Sequence, residues 1–292
     1  MKQKILGLMA AFLLLLSGVV FAAGADFELN RVEADGFGLP PAFATSGAQT
    51  KLLARRAAIA DAQRNLAEQI AGVQVDSETT VQNMQIASDT VRTRVSALLK
   101  GAKVISESYE DGAYHVVMAL PLYGVNNSLA SAILPQTTQR ESFPTAIAPE
   151  PETPLYTPTQ PQPETTTTVT TTTTRTTTIT NRKSGTYTGI IVDCTGLGLR
   201  SAMSPVIKTT AGEKIYGYKN LDSKKVIKNG MAGYASNMNG NVSRAGSNPL
   251  IVKAVGVDNY FNPVVNVADA KIILEENGYT HFLDNCAVVF VK

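Results

Sequence analysis

Of the sixteen residues from Thr165 to Thr180, thirteen are threonine. Proline recurs ahead of them as far as Pro163, and large apolar side chains nearly vanish between Pro135 and Ser184. Such a stretch cannot bury enough apolar surface to offset the entropy of ordering it, so residues 135–184 read as a disordered Thr/Pro-rich linker. Threonine favours strands, but strands without an apolar face have nothing to pack on. As a coil the segment would span roughly 40 Å, a spacer, a tether or a glycosylated stalk. The chain of 292 residues is thereby divided into two folded parts, residues 26–134 and residues 185–292, each long enough for its own core.

Lys2 and Lys4 precede an apolar run from Ile5 to Phe21, and Ala22, Ala23, Gly24 and Ala25 follow. This is the order of a secretory signal peptide over residues 1–25, with cleavage after Ala25 or Ala22, and the run is short for a membrane span. Export to the periplasm or outer membrane is expected. A net charge of +2 without a basic run argues against nucleic acid as a partner. The absence of tryptophan removes the large ring on which carbohydrate or base stacking leans.

The first folded part centres on an alanine-rich helix beginning near Gln49, with Leu52, Ile59, Ala62, Leu66 and Ile70 on one side and Gly72 as its stop. The period then changes to two, which predicts a strand over Val73–Val81. Phe27–Ala34 reads as an opening strand broken by the turn Gly36–Pro41. A second helix is predicted from Ser88 or Asp89 to Lys100, then a hairpin turning at Asp111 and Gly112, then a short helix over Asn127–Leu134. The fold class is α+β: a two-layer helix-on-sheet N-terminal domain followed, after the linker, by a mixed α/β C-terminal domain. His115 reads as a strand histidine on the solvent side, with no acidic or cysteine partner at metal-ligand spacing.

Arg55, Arg56, Ala57, Ala58, Ile59, Asp61, Ala62, Arg64, Leu66, Ala67, Glu68, Ile70 and Gly72, leading into a V-x-V stretch, form a pattern that resembles the Lpp-twenty family of small outer-membrane lipoproteins. The domain of that family is similar to the N-terminal domain of flagellar assembly protein T. The resemblance spans Asp26–Gly124 and implies an envelope binding or assembly module with envelope or basal-body proteins as partners; it implies no catalytic residue and no cofactor. No cysteine lies near the cleavage region, so no lipid anchor is expected here.

In the second part, Thr188–Asp193 reads as a strand buried on both faces, and CTGLGLR as its glycine-rich exit. Asp193, Gly196, Gly198 and Arg200 are the candidate ligand-site residues there. An aspartate at a strand end can carry chemistry, but it can equally bind its own turn. The loop lacks the third glycine or the lysine of a phosphate-binding loop. Asp258, Asp269, His281 and Asp284 complete the acid-base candidates. Cys194 ends the first strand of this part and Cys286 precedes the last; they lie near each other if those strands are antiparallel neighbours and at opposite ends if parallel, and the readings are a disulfide in an oxidising compartment, two buried thiols or a reactive nucleophile. The reading is an exported, non-enzymatic envelope protein, with a ligand-binding protein or hydrolase sited near Asp193 as the alternative.

Overall fold

The computed structural model describes residues 24–44, 46–137, 139–145, 147 and 184–292. Most of the predicted signal peptide, and residues 148–183 of the predicted linker, lie outside the described residues.

The first sheet has the order β1-β2-β4-β3, built from β1 (Gly24–Asp26), β2 (Arg31–Gly38), β3 (Lys103–Glu110) and β4 (Ala113–Pro121), all antiparallel. The hairpin forms where predicted: Asp111 and Gly112 both take positive φ, 50° and 80°, the paired left-handed geometry a two-residue turn needs. Helix α1 (Gly47–Ala71) covers one face, capped by Ser46, whose side chain accepts from the Gln49 N–H. The side it buries is Ala54, Ala58, Ala62, Leu66 and Ile70, one residue per turn. This corrects the expected face, since Leu52 is largely exposed and Ile59 only partly buried.

The alanines are explained by what they touch. A Cβ built on Gly36 would lie 2.2 Å from the Ala58 carbonyl oxygen and 2.2 Å from the Ala62 nitrogen; one on Gly38 would lie 2.1 Å from the Ala54 carbonyl oxygen. Helix and strand backbones therefore meet directly. The glycines expected to break the strand let it continue to Gly38. Because β1 pairs only with Arg31–Glu33, the outer edge of β2 is open beyond that point. Helix side chains close it: Asp61 accepts from the Phe37 N–H (3.1 Å) and Asn65 donates to the Asp35 carbonyl (2.8 Å).

The strand expected over Val73–Val81 is a turn instead. A single bridge joins Gln74 and Thr80, and the Asp76 carboxylate accepts from the N–H groups of Glu78 and Thr79. Helix α2 (Val81–Ala87) follows under a Thr80 cap. Helix α3 (Asp89–Lys100), capped by Ser88, and α4 (Leu129–Ile133) match their predictions.

In the second part, β5 (Gly189–Asp193), β8 (Gly233–Ala235), β9 (Pro249–Lys253) and β12 (Val288–Val291) form an all-parallel sheet in the order β8-β12-β5-β9. Ile190–Val192 and Val288–Val291 are buried throughout, as continuous apolar runs in a parallel sheet should be. A smaller mixed sheet, β10-β11-β6-β7, comprises β6 (Ile207–Thr209), β7 (Lys214–Tyr216), β10 (Gly256–Asp258) and β11 (Asn262–Val265). The helices are α5 (Ser223–Asn229) and α6 (Val267–Thr280). The latter runs past Gly278 and ends at His281, which takes the left-handed cap (φ 54°).

The two parts share one contiguous buried cluster. Main-chain bonds cross between them: Met203 N–H donates to the Gln74 carbonyl (3.0 Å), Ser204 N–H to Val75 (2.6 Å), and Gly124 N–H to Ile227 (2.9 Å). Gln74 and Val75 thus spend their carbonyls on the other domain, not on a strand of their own sheet. Tyr123, 7% exposed, inserts against Gly230 and donates its hydroxyl to the Met203 carbonyl (3.2 Å).

The first residues of the predicted linker are also docked. Tyr218 donates to the Pro135 carbonyl, Ser223 to that of Thr137 (2.9 Å), and Glu141 N–H to that of Lys219 (2.8 Å). Phe143 stacks parallel to Tyr216, and Ile147 is buried. The described residues among 135–147 correct the disordered reading for that end of the segment: the Pro135 and Thr137 carbonyls and the apolar side chains Phe143 and Ile147 find partners that composition alone does not reveal.

Candidate functional site

The loop after β5 brings few of its candidates together. The Asp193 carboxylate accepts from the Thr195 hydroxyl (2.6 Å) and the Thr195 N–H (3.0 Å), and these bonds hold its pKa below the usual carboxylate value. It binds its own turn. Gly196 and Gly198 sit at φ 78° and 72°, and a Cβ on either would meet open space. Their backbone conformation requires glycine, and no close approach does. Arg200 donates its N–H to the Tyr260 carbonyl (2.7 Å) and lays its guanidinium over the Tyr260 ring at 5.3 Å. It lines a groove of about 510 Å³ that it shares with Lys292, Glu68 and Gly72 between the two domains.

The cysteine alternatives are resolved by topology. Strands β5 and β12 are parallel, with Val288 opposite Ile190 and Val291 opposite Asp193. Cys194 therefore follows the end of one strand while Cys286 precedes the start of the other. At about 3.3 Å per residue they stand well beyond the roughly 7 Å that a disulfide tolerates. Both thiols are free and buried. Burial pushes Cys194 up to about 12 and raises Cys286 as well. Both are expected to resist a maleimide in the folded protein and to react fully in denaturant; mass spectrometry of the native protein showing a fast-labelling cysteine would contradict this.

The remaining acid-base candidates have partners. Lys208 donates to Asp258 (2.6 Å), and Asn262 does so more weakly (3.4 Å). Asp258 is consequently held below 3.8, chiefly by Lys208. A depressed carboxylate stabilises the fold above its unfolded-state pKa, and that contribution disappears as pH falls through the folded value. Asp258→Asn should then lower stability at neutral pH by less than about 1 kcal/mol, the pair being partly exposed. The gap should narrow as pH falls through the folded-state value, in urea titrations from neutral to acidic pH. Asp269 is raised by burial while helping to cap α6 through Asn266. His281 lies 3.5 Å from Asp284, which also receives a bond from Asn277 (3.2 Å). Among the described residues no three His, Cys, Asp or Glu side chains are grouped as a metal site.

A different arrangement lies on the first sheet, opposite α1. There β2 presents Arg31, Glu33, Asp35 and Phe37, and β4 presents Ala113, His115, Val117 and Ala119, all at least partly exposed. His115 Nε2 is 2.7 Å from an Asp35 oxygen, and the imidazole stacks on Phe37 (centroids 4.6 Å apart, planes at 14°). Sequence reasoning missed this acidic partner, which is 80 residues away. The signal was present in the alternation of Arg31, Glu33, Asp35 and Phe37, but only for a strand read through to Gly38. Phe37 also begins a stretch in which Leu39 and Phe43 are exposed: 62%, 72% and 71% respectively.

The fold and these surfaces define a two-part mixed α and β protein, helix-on-sheet in its first part and sheet-rich in its second. Residues 43–120 match the model of the LPP20 lipoprotein family, and residues 189–292 match a model described as Treponema pallidum Tp0624, second domain. The first match supports the resemblance carried by α1, and its lipoprotein character fits an envelope-associated protein. The second falls on the C-terminal domain and fits a two-domain chain. No curated protein matches the chain. No helix among the described residues is long and apolar enough to cross a membrane.

Proposed function

We propose that this is an exported, non-enzymatic protein of the cell envelope that acts in binding or assembly through its N-terminal domain. An accessory role at the flagellar basal body is its most concrete form. The supporting observation is the exposed apolar stretch Phe37, Leu39 and Phe43 at the margin of the open sheet face. Large apolar side chains gathered on a surface mark contact sites, and the stacked Phe37–His115 pair gives this one a rigid aromatic centre. The lipoprotein-family match supports the envelope setting. The loop after β5 offers the ligand-binding or hydrolase alternative no comparable feature, because its aspartate and glycines are used within the turn.

The test places a photo-crosslinking amino acid at Phe37, at Phe43 and, as a control, at Tyr279 in the exported protein in intact cells. The proposal expects one defined envelope or basal-body protein crosslinked from the first two positions and not from the third. Equal, diffuse crosslinking from all three would count against it. N-terminal sequencing of the exported protein should begin at Ala23 or Asp26, and only the first leaves β1 (Gly24–Asp26) whole.

A further inference from the structure

We infer that a second site, a cleft of about 520 Å³ in the N-terminal domain, binds an amphiphile with a phosphate head on an apolar chain. The cleft lies between the end of α3, the outer ends of β3 and β4, and α4, at the opposite end of β4 from His115. Its volume suits a small ligand.

Charge carries the argument. The cleft is lined by Arg94 and Lys103 and by no aspartate or glutamate. Among the described residues, neither cation has a carboxylate within ion-pair distance. Four other clefts each set a carboxylate beside their cations, such as Glu28 with Lys228 and Arg244, or Glu68 with Arg200 and Lys292. Two uncompensated cations facing one concavity favour an anion between them. The simpler explanation is that they offset the negative end of α3. Lys100 already stands in that last turn, and Gly101 N–H already takes the Ala97 and Leu98 carbonyls. A helix-end field fades within a turn, and Arg94 is six residues before the end of α3. The remaining walls distinguish the ligand from a bare ion. Leu98, Leu120, Pro121 and Ala132 give an apolar floor, while Asn126 and Asn127 supply polar groups beside the cations. A phosphate would sit between Arg94 and Lys103, with its chain against the leucines. The site stands independently of the assembly reading.

The test is calorimetric titration of the exported protein with octyl phosphate, with inorganic phosphate, and with octyl glucoside as an uncharged amphiphile. Saturable one-to-one binding of octyl phosphate is expected, with inorganic phosphate weaker and octyl glucoside inert. The double variant Arg94→Gln/Lys103→Gln should bind about tenfold or more weakly, having lost charge-assisted bonds. Both residues are exposed, so its circular dichroism should be unchanged. Ala97→Phe, filling the mouth, should abolish binding without unfolding the domain. Co-sedimentation with phosphatidylglycerol vesicles then separates a membrane lipid from a soluble alkyl phosphate as the source of the head group, and either result leaves the site standing. No saturable heat with octyl phosphate, equal binding by the glucoside, or undiminished binding by the double variant would overturn the inference.

Discussion

Gly36→Ala should destabilise the first domain by about 3 kcal/mol or more, large for the addition of one methyl group. The new carbon would be placed 2.2 Å from a carbonyl oxygen and 2.2 Å from an amide nitrogen of α1, with the Ala62 methyl 2.6 Å away. None of these is the end of a flexible side chain that could turn aside. Either β2 and α1 separate, or the strand buckles and loses its register with β4. Separation would also pull Asp61 and Asn65 from the backbone groups they satisfy. Gly38→Ala meets the same obstacle one turn away, against the Ala54 carbonyl and the Ala58 nitrogen. Gly47, at the first position of α1, has nothing within 4 Å of its would-be Cβ and serves as the control. Urea unfolding of the three variants decides the point. A Gly36→Ala protein within about 1 kcal/mol of the parent would show that the helix and strand do not meet as described.

Removing the Tyr123 ring should separate the unfolding of the two domains. In the native protein this ring is buried between them, anchored at one end by Asn30, whose side chain exchanges two hydrogen bonds with the Tyr123 backbone (2.8 and 3.2 Å). Its hydroxyl reaches the Met203 carbonyl across the seam. Tyr123→Ala leaves a cavity the size of an aromatic ring, a loss of about 3–5 kcal/mol. Because the ring belongs to the seam, the cost falls on coupling between the domains. One calorimetric transition in the parent should become two in the variant, while Tyr123→Phe, losing only a hydroxyl bond, should keep one transition and lose about 1 kcal/mol. Gly230→Ala approaches the same seam from the other side: its Cβ would fall 2.8 Å from the Tyr123 ring, at a φ of 77°. A single unshifted transition in Tyr123→Ala would mean that the domains are coupled elsewhere.

The elements that rest on local chemistry were legible in the sequence. The Asp111-Gly112 turn, the Ser88 cap and the buried β5 run all form as composition and spacing predict. Asp193 serving its own turn was also foreseeable from its position. What failed depends on partners remote in sequence. Gly36 and Gly38 read as breakers because nothing local reveals that a helix of alanines will lie across them. Residues 73–81 alternate like a strand, yet the Gln74 and Val75 carbonyls go to Met203 and Ser204, about 130 positions on. The Asp35–His115 pair needed the full length of β2 to be known. The cysteine question turned on strand direction, which neither residue encodes.

The described residues among 135–147 lie along the second domain, and Ile147 is buried in the cleft beside Leu274 and Gly278 of α6. The chain is next described at Ser184, and Gly185 donates its N–H to Glu276 of the same helix (2.8 Å) and packs beside Tyr279. The described residues on either side of the threonine tract, Ile147 and Gly185, therefore both meet α6 of the second domain. Lineages could expand, shrink or decorate that tract while the docked pair keeps its geometry, and a cut within it would yield two fragments still clasped by the seam at Tyr123.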